Sequence, residues 1–155
     1  MLKMDLATKT QTKGKNTKSS RSRWVQSVGT TIPIQGSSLQ DTFKTSLKGL
    51  GHVLSPGSCS SATHYDCIMK VEIKASGHKA LLVEFLEKVL RLTYSHKAIF
   101  CTMYVEEITS TILVAQLYGI WFKSFDTQVK SLISDKCILK ENEDHSYIGV
   151  CVFQT

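Results

Sequence analysis

The chain has 155 residues, a net charge of +6 and an apolar fraction of 42%, enough for one domain around one core. No apolar run approaches the ~18–20 residues of a membrane helix, and the charged N-terminus lacks the apolar stretch of a secretory signal. The charge is uneven: residues 1–23 carry seven Lys or Arg against Asp5 alone, and the other 132 residues carry 12 bases and 12 acids.

Residues 1–23 are rich in Lys, Thr and Ser and contain no aromatic side chain. Such a segment buries too little area to offset its ordering entropy, which predicts a disordered basic tail ahead of a domain over 24–155. Lys13, Lys15, Lys18, Arg21 and Arg23 are its candidate contacts to RNA phosphates or to a partner. The plainer reading is a solubilising extension.

WVQSVGTTIPIQG (24–36) reads as a first strand, with Ile32 and Ile34 alternating with Thr31 and Pro33. Pro33 argues for a sheet edge. SSLQDTFKTSLKGLGHVLS (37–55) is an amphipathic helix with Leu39, Phe43, Leu47, Leu50 and Leu54 on one stripe. Ser38 and Asp41 resemble a capping box. Gly49 and Gly51 lower helix propensity and mark close packing on a sheet. Residues 55–66 form a loop by composition.

CIMKVEIKA (67–75) alternates, with Val71, Ile73 and Ala75 on one face and Lys70, Glu72 and Lys74 on the other, as a half-buried strand does. HKALLVEFLEKVLRLTY (78–94) changes period: Leu82, Phe85, Leu86, Val89, Leu90 and Thr93 form one helical stripe. AIFCTMYVEE (98–107) and TILVAQLYGIWF (111–122) then pair as an antiparallel hairpin. DTQVKSLISDKCIL (126–139) gives another strand, ENED (141–144) a polar turn, and SYIGVCVFQT (146–155) the closing strand. The sum is a two-layer α+β domain of six strands and two helices, with a largely antiparallel sheet.

The five cysteines (59, 67, 101, 137 and 151) are odd in number and include no C-x-x-C pair. Cys67, Cys101 and Cys151 fall in strand-like runs. This predicts reduced thiols in a cytoplasmic protein, with neither a zinc site nor a disulfide framework.

In this order, the elements resemble the archease family, whose members activate the RNA ligase of tRNA splicing. GSSLQDTFKTSLKGLGHVLSP (36–56) is similar to the family's G-x-T-L-E-E-A-F helix, with Gly36, Leu39 and Phe43 at matching steps. Leu81, Leu82, Phe85, Leu86 and Leu90 fill the apolar slots of its second helix. LYGIWF (117–122) and TQVKSL (127–132) are similar to two later motifs. The likeness covers roughly 26–155 and implies a strand-helix-strand-strand module.

The departures concern metal chemistry. Archeases begin with H-T-A-D and end in V-V-L-D-V, each aspartate being a metal ligand. The matching positions here are Gly29 and Gln154, and 24–36 contains no Asp or Glu. A hard dication needs several oxygen ligands, mostly carboxylates. The resemblance therefore implies a degenerate site with no cofactor; calcium or another divalent cation would bind only if the site had moved to Asp126, Asp135 or Asp144.

No other constellation carries chemistry. His52, His64, His78, His96 and His145 lack H-E-x-x-H spacing and read as surface or helix-end residues. No local signature supports a Cys–His nucleophile. Trp121 and Phe122 read as strand-end aromatics buried against a helix. Glu141, Glu143 and Asp144 read as solvated turn acids. No catalytic residue is assigned. The resemblance implies an accessory protein that docks on an RNA ligase or another RNA-processing protein, with a degenerate binding module for a protein or RNA as the alternative. An enzyme whose site leaves no sequence mark is the weakest reading.

Overall fold

The computed structural model describes residues 29–155. The strands are β1 (Gly29–Gly36), β2 (Cys67–Lys74), β3 (Ala98–Ile108), β4 (Ile112–Trp121), β5 (Ser131–Leu132), β6 (Ile138–Glu141) and β7 (Tyr147–Gln154). The helices are α1 (Leu39–Leu54) and α2 (His78–His96). The tail, its five candidate contacts and residues 24–28 of the expected first strand lie outside the described residues.

The α+β class and antiparallel pairing agree with the sequence, but the strands divide into two sheets. One has the order β2-β4-β3. The other centres on β7, which pairs with β1, β5 and β6. Pro33 lies on β1, an edge strand as expected. The helices serve both sheets: α1 lies against β1 and β3, and α2 against β2, β3 and β5.

The elements form for local reasons. Ser38 caps α1, its hydroxyl accepting from Asp41 N at 3.1 Å, while the Asp41 carboxylate accepts from Ser37 N at 2.9 Å. These bonds satisfy donors that a helix start leaves open. A Cβ at Gly49 would stand 2.7 Å from Ile32 Cγ2 on β1, and one at Gly51 would stand 3.4 Å from Ile99 Cγ2 on β3. The two glycines let one helix approach both sheets. Phe43 and Phe85 meet at 5.3 Å between ring centroids and join the two helical stripes. Ile34, Leu117 and Phe153 close the same core from the strands.

Three expectations need correction. Residues 126–139 are not one strand: β5 has two residues, a 3-10 turn follows at Ser134–Lys136, and β6 starts at Ile138. Asp126 N donates to the Leu54 carbonyl and Val129 N to Tyr94 Oη, so this stretch is tied to helices before it can join a sheet. Trp121 is 54% exposed at the end of β4, while Phe122 stacks on Phe125. Cys59 and Cys101 are joined in a disulfide, with Cα atoms 5.4 Å apart. The 55–66 loop folds back onto β3 and brings together cysteines 42 positions apart.

Candidate functional site

The register of β1 on β7 puts Gly29 directly opposite Gln154. The two positions that the sequence resemblance assigns to the family's ligand aspartates are therefore cross-strand neighbours, whose Cβ atoms stand about 4.5–5.5 Å apart when both have side chains. Gly29 contributes no donor. A Cβ there would stand 3.0 Å from Val152 Cγ1 and 3.4 Å from the Phe153 carbonyl oxygen, so a side chain would enter a tight space. Gln154 Oε1 accepts from the Ser131 hydroxyl at 3.4 Å. An amide and a glycine supply no negative charge, and this donor set does not fit a hard dication.

The substitute carboxylates do not converge on that point. Asp126 is anchored through its backbone beneath α1, and Asp135 lies in the 3-10 turn. Asp144 Oδ1 accepts from the Ser146 hydroxyl at 2.6 Å and from Ser146 N at 3.1 Å. Those bonds hold the Asp144 carboxyl below its ordinary range. Glu141 accepts from His145 Nδ1 at 2.9 Å, which lowers its pKa in the same way. Glu141 and Asp144 are engaged in holding the turn. Among the described residues, no three His, Cys, Asp or Glu side chains gather as a metal shell.

Of the remaining histidines, His64 pairs with Asp66 at 3.2 Å, and His78 meets Tyr147 edge-on at 5.5 Å. Both Cys137 and Cys151 are buried free thiols. Their contact draws Cys137 down to about 7 and pushes Cys151 up. Burial leaves this pair no substrate access.

Two surface features went unread in the sequence. The outer face of the β2-β4-β3 sheet presents Ile68 and Tyr104, both 59% exposed, with Ile68 opposite Tyr118 and Tyr104 opposite Gln116 on β4. Tyr65 packs on Tyr118 at 5.7 Å. Gln116 and Lys70 converge on Glu106, at 2.8 Å and 3.6 Å. Alternation marked the outward positions, but nothing in it marked them as uncovered. The second feature is a cavity of about 420 Å³ between the end of α1, the 55–66 loop and β3, with the disulfide in its wall.

No helix among the described residues is long and apolar enough to cross a membrane. No curated protein matches the chain significantly. A solution structure of Methanobacterium thermoautotrophicum protein 1598 superposes with a TM-score of 0.65 at 16% identity, over 84% of this chain and 94% of that one. A crystal structure of an archease from Thermotoga maritima, described as a possible chaperone, gives 0.61 at 11% identity, over 89% and 99%. At such identities these likenesses establish the fold. The model of the archease protein family (MTH1598/TM1083) matches residues 30–153, and the chain belongs to that family.

Proposed function

We propose that this protein is an archease-type accessory factor that docks on an RNA ligase or another RNA-processing protein and assists its turnover in tRNA splicing. It does so in the cytoplasm, without a metal site or a catalytic role of its own. The observation that carries this reading is the direct pairing of Gly29 with Gln154, which flank the archease-family match over residues 30–153 by one residue at each end. The pairing supports the assignment of these residues to the family's ligand positions, and their chemistry supports a role that does not run through a dication. The uncovered face around Tyr104 and Tyr118 supports action by docking.

The test is multiple-turnover RNA ligation with and without the full chain, in calcium and after its removal with a selective chelator. Equal stimulation in both conditions is the expected result. Absence of stimulation refutes the accessory role. Stimulation that chelation abolishes refutes the metal-free reading.

The charge distribution favours a second reading, in which the domain is a binding module that holds RNA through Lys13, Lys15, Lys18, Arg21 and Arg23. All the net charge lies in residues 1–23. Replacing the five by Gln should then abolish RNA binding and flatten its salt dependence. RNA binding unchanged by the replacement excludes the tail.

A further inference from the structure

The Cys59–Cys101 bond does more than cross-link a loop. Cys101 is the extra residue of a β-bulge: Phe100 pairs with Gly119 and Thr102 with Tyr118, leaving Cys101 without a partner on β4. β3 is also an edge strand. A bulge on an edge re-aims a side chain out of the ladder and is a frequent neighbour of working sites. Here Cys101 bonds to Cys59, on a loop that lies over the end of α1. Both cysteines line the 420 Å³ cavity, a volume within the small-ligand range. Cys59 is half-buried and Cys101 only 5% exposed, so an incoming group reaches Cys59 first.

The cavity wall has a definite charge character. Lys48 and His52, one turn apart on α1, stand at its rim and are exposed. Ser60 and Tyr65 add hydroxyls, and no lining residue is acidic. A basic, hydroxyl-rich cavity with a disulfide in its wall complements a small thiol that carries carboxylates.

We infer that this cavity is a thiol–disulfide exchange site for a small anionic thiol of the glutathione type. The incoming thiolate attacks Cys59 Sγ. The Cys59–Cys101 bond breaks, its electron pair passes to Cys101 Sγ, and that sulfur takes a proton from solvent. The freed Cys101 thiol has the Ile99 carbonyl 3.8 Å away as an acceptor. A second thiolate attacks the glutathione sulfur of the mixed disulfide and releases glutathione disulfide and the Cys59 thiolate. Two glutathione thiols are oxidised as one protein disulfide is reduced, and the reverse sequence reforms it.

The exchange has a structural consequence. Hydrogen bonds of residues 57–62, such as Ser61 N to the Gly57 carbonyl and Ala62 N to the Cys59 carbonyl, run within the loop. The disulfide is what ties this stretch to β3. Its reduction frees the loop while Asp66 N stays bonded to the Gly119 carbonyl and Asp66 Oδ2 to Trp121 N.

The experiment exposes the oxidised full chain to reduced glutathione or to cysteamine, a cationic thiol, at equal thiolate concentration. Alkylation traps the products, and peptide mass spectrometry locates them. The mixed disulfide is expected on Cys59, with glutathione faster. Lys48→Glu should slow glutathione about tenfold, the lower end of electrostatic steering by a charged cleft, without slowing cysteamine. Hydrogen exchange should rise at 57–62 on reduction and stay constant in α1. A mixed disulfide on Cys101, rates indifferent to thiol charge or to Lys48→Glu, or reduction only on global unfolding would each overturn the proposal. So would a purified chain in which Cys59 and Cys101 stay free thiols under glutathione disulfide.

Discussion

The two sheets share two helices and one core, yet they are built differently. In the β2-β4-β3 sheet the strands have 8, 10 and 11 residues, and β4 pairs along almost its full length with both neighbours. In the other sheet β1 and β7 pair over eight residues, but the strands on the far side of β7 are short; β5 has two residues and β6 four. Apart from two register shifts along β3, the first sheet keeps continuous pairing, with the alternating side chains of β2 and β4 turned into the core. Val71 and Ile73 point inward while Lys70, Glu72 and Lys74 stay in solvent. The second takes its shape from bonds outside the ladder, such as Val129 N to Tyr94 Oη at 2.9 Å. The difference shows that a ladder can be written by pattern, whereas a short strand is set by what its flanks are tied to.

The largest expected effect tests whether the two sheets share one core. Phe85 is fully buried and touches Phe43, which lies on the helix that reaches both sheets. Phe85→Ala should cost about 3–5 kcal/mol, with both sheets melting in one transition by circular dichroism. Two separate transitions, or an unchanged melting temperature, would mean that the sheets fold independently.

The disulfide sharpens the contrast from the regular side. It ties the 55–66 loop to the bulge of β3 and closes a span of 42 residues. Replacing Cys59 with Ser and Cys101 with Ala should lower stability by about 2–4 kcal/mol. Denaturant titration checks this, and a loss well below that range would show that the loop is held by its own bonds.

How far the sequence could be read follows the same division. Residues 67–122 were legible because period two matches the buried positions of β2 and β4 and the helical stripe those of α2 apart from Leu81 and Val83, whereas the start of β3 buries Ala98, Ile99, Phe100 and Cys101 in succession. The family resemblance assigns Gly29 and Gln154 to ligand positions; the register shows that the two are cross-strand partners, one residue beyond each end of the family match. The span 126–139 was misread because Val129 and Ile133 suggest alternation, while hydrogen bonds to Tyr94 and Leu54 override it. The disulfide was invisible because pairing depends on how a loop returns, which cysteine spacing does not encode. Trp121 was misplaced because its position at a strand end has no covering element.

A smaller effect is expected where α2 faces the core. Thr93 is fully buried, and its hydroxyl lacks a hydrogen-bond partner. An unpaired buried hydroxyl carries an uncompensated desolvation cost. Val has the same shape and a similar helix propensity, so Thr93→Val should raise stability by about 1 kcal/mol. A loss of stability on thermal melting would show that the hydroxyl is satisfied in solution.

The smallest effect isolates the β6–β7 turn, the irregular end of the second sheet. Hydrogen bonds from His145 and Ser146 lower the carboxyl pKa values of Glu141 and Asp144 below their ordinary 4.5 and 3.8. A carboxylate with a depressed folded pKa stabilises the fold above its unfolded value, and that contribution is lost as pH falls through the folded one. Both groups are solvent-exposed, so the loss is local. Acidification below the ordinary carboxylate range should shift the amide resonances of Ser146 and His145, with midpoints below the ordinary values of the Asp144 and Glu141 carboxyls, while those of β2, β3 and β4 stay in place. Asp144→Asn should remove the Ser146 transition and leave the His145 one. Simultaneous movement of the regular sheet would mean that the turn acids support the whole fold, and the contrast between a self-sufficient ladder and a flank-tied one would fail.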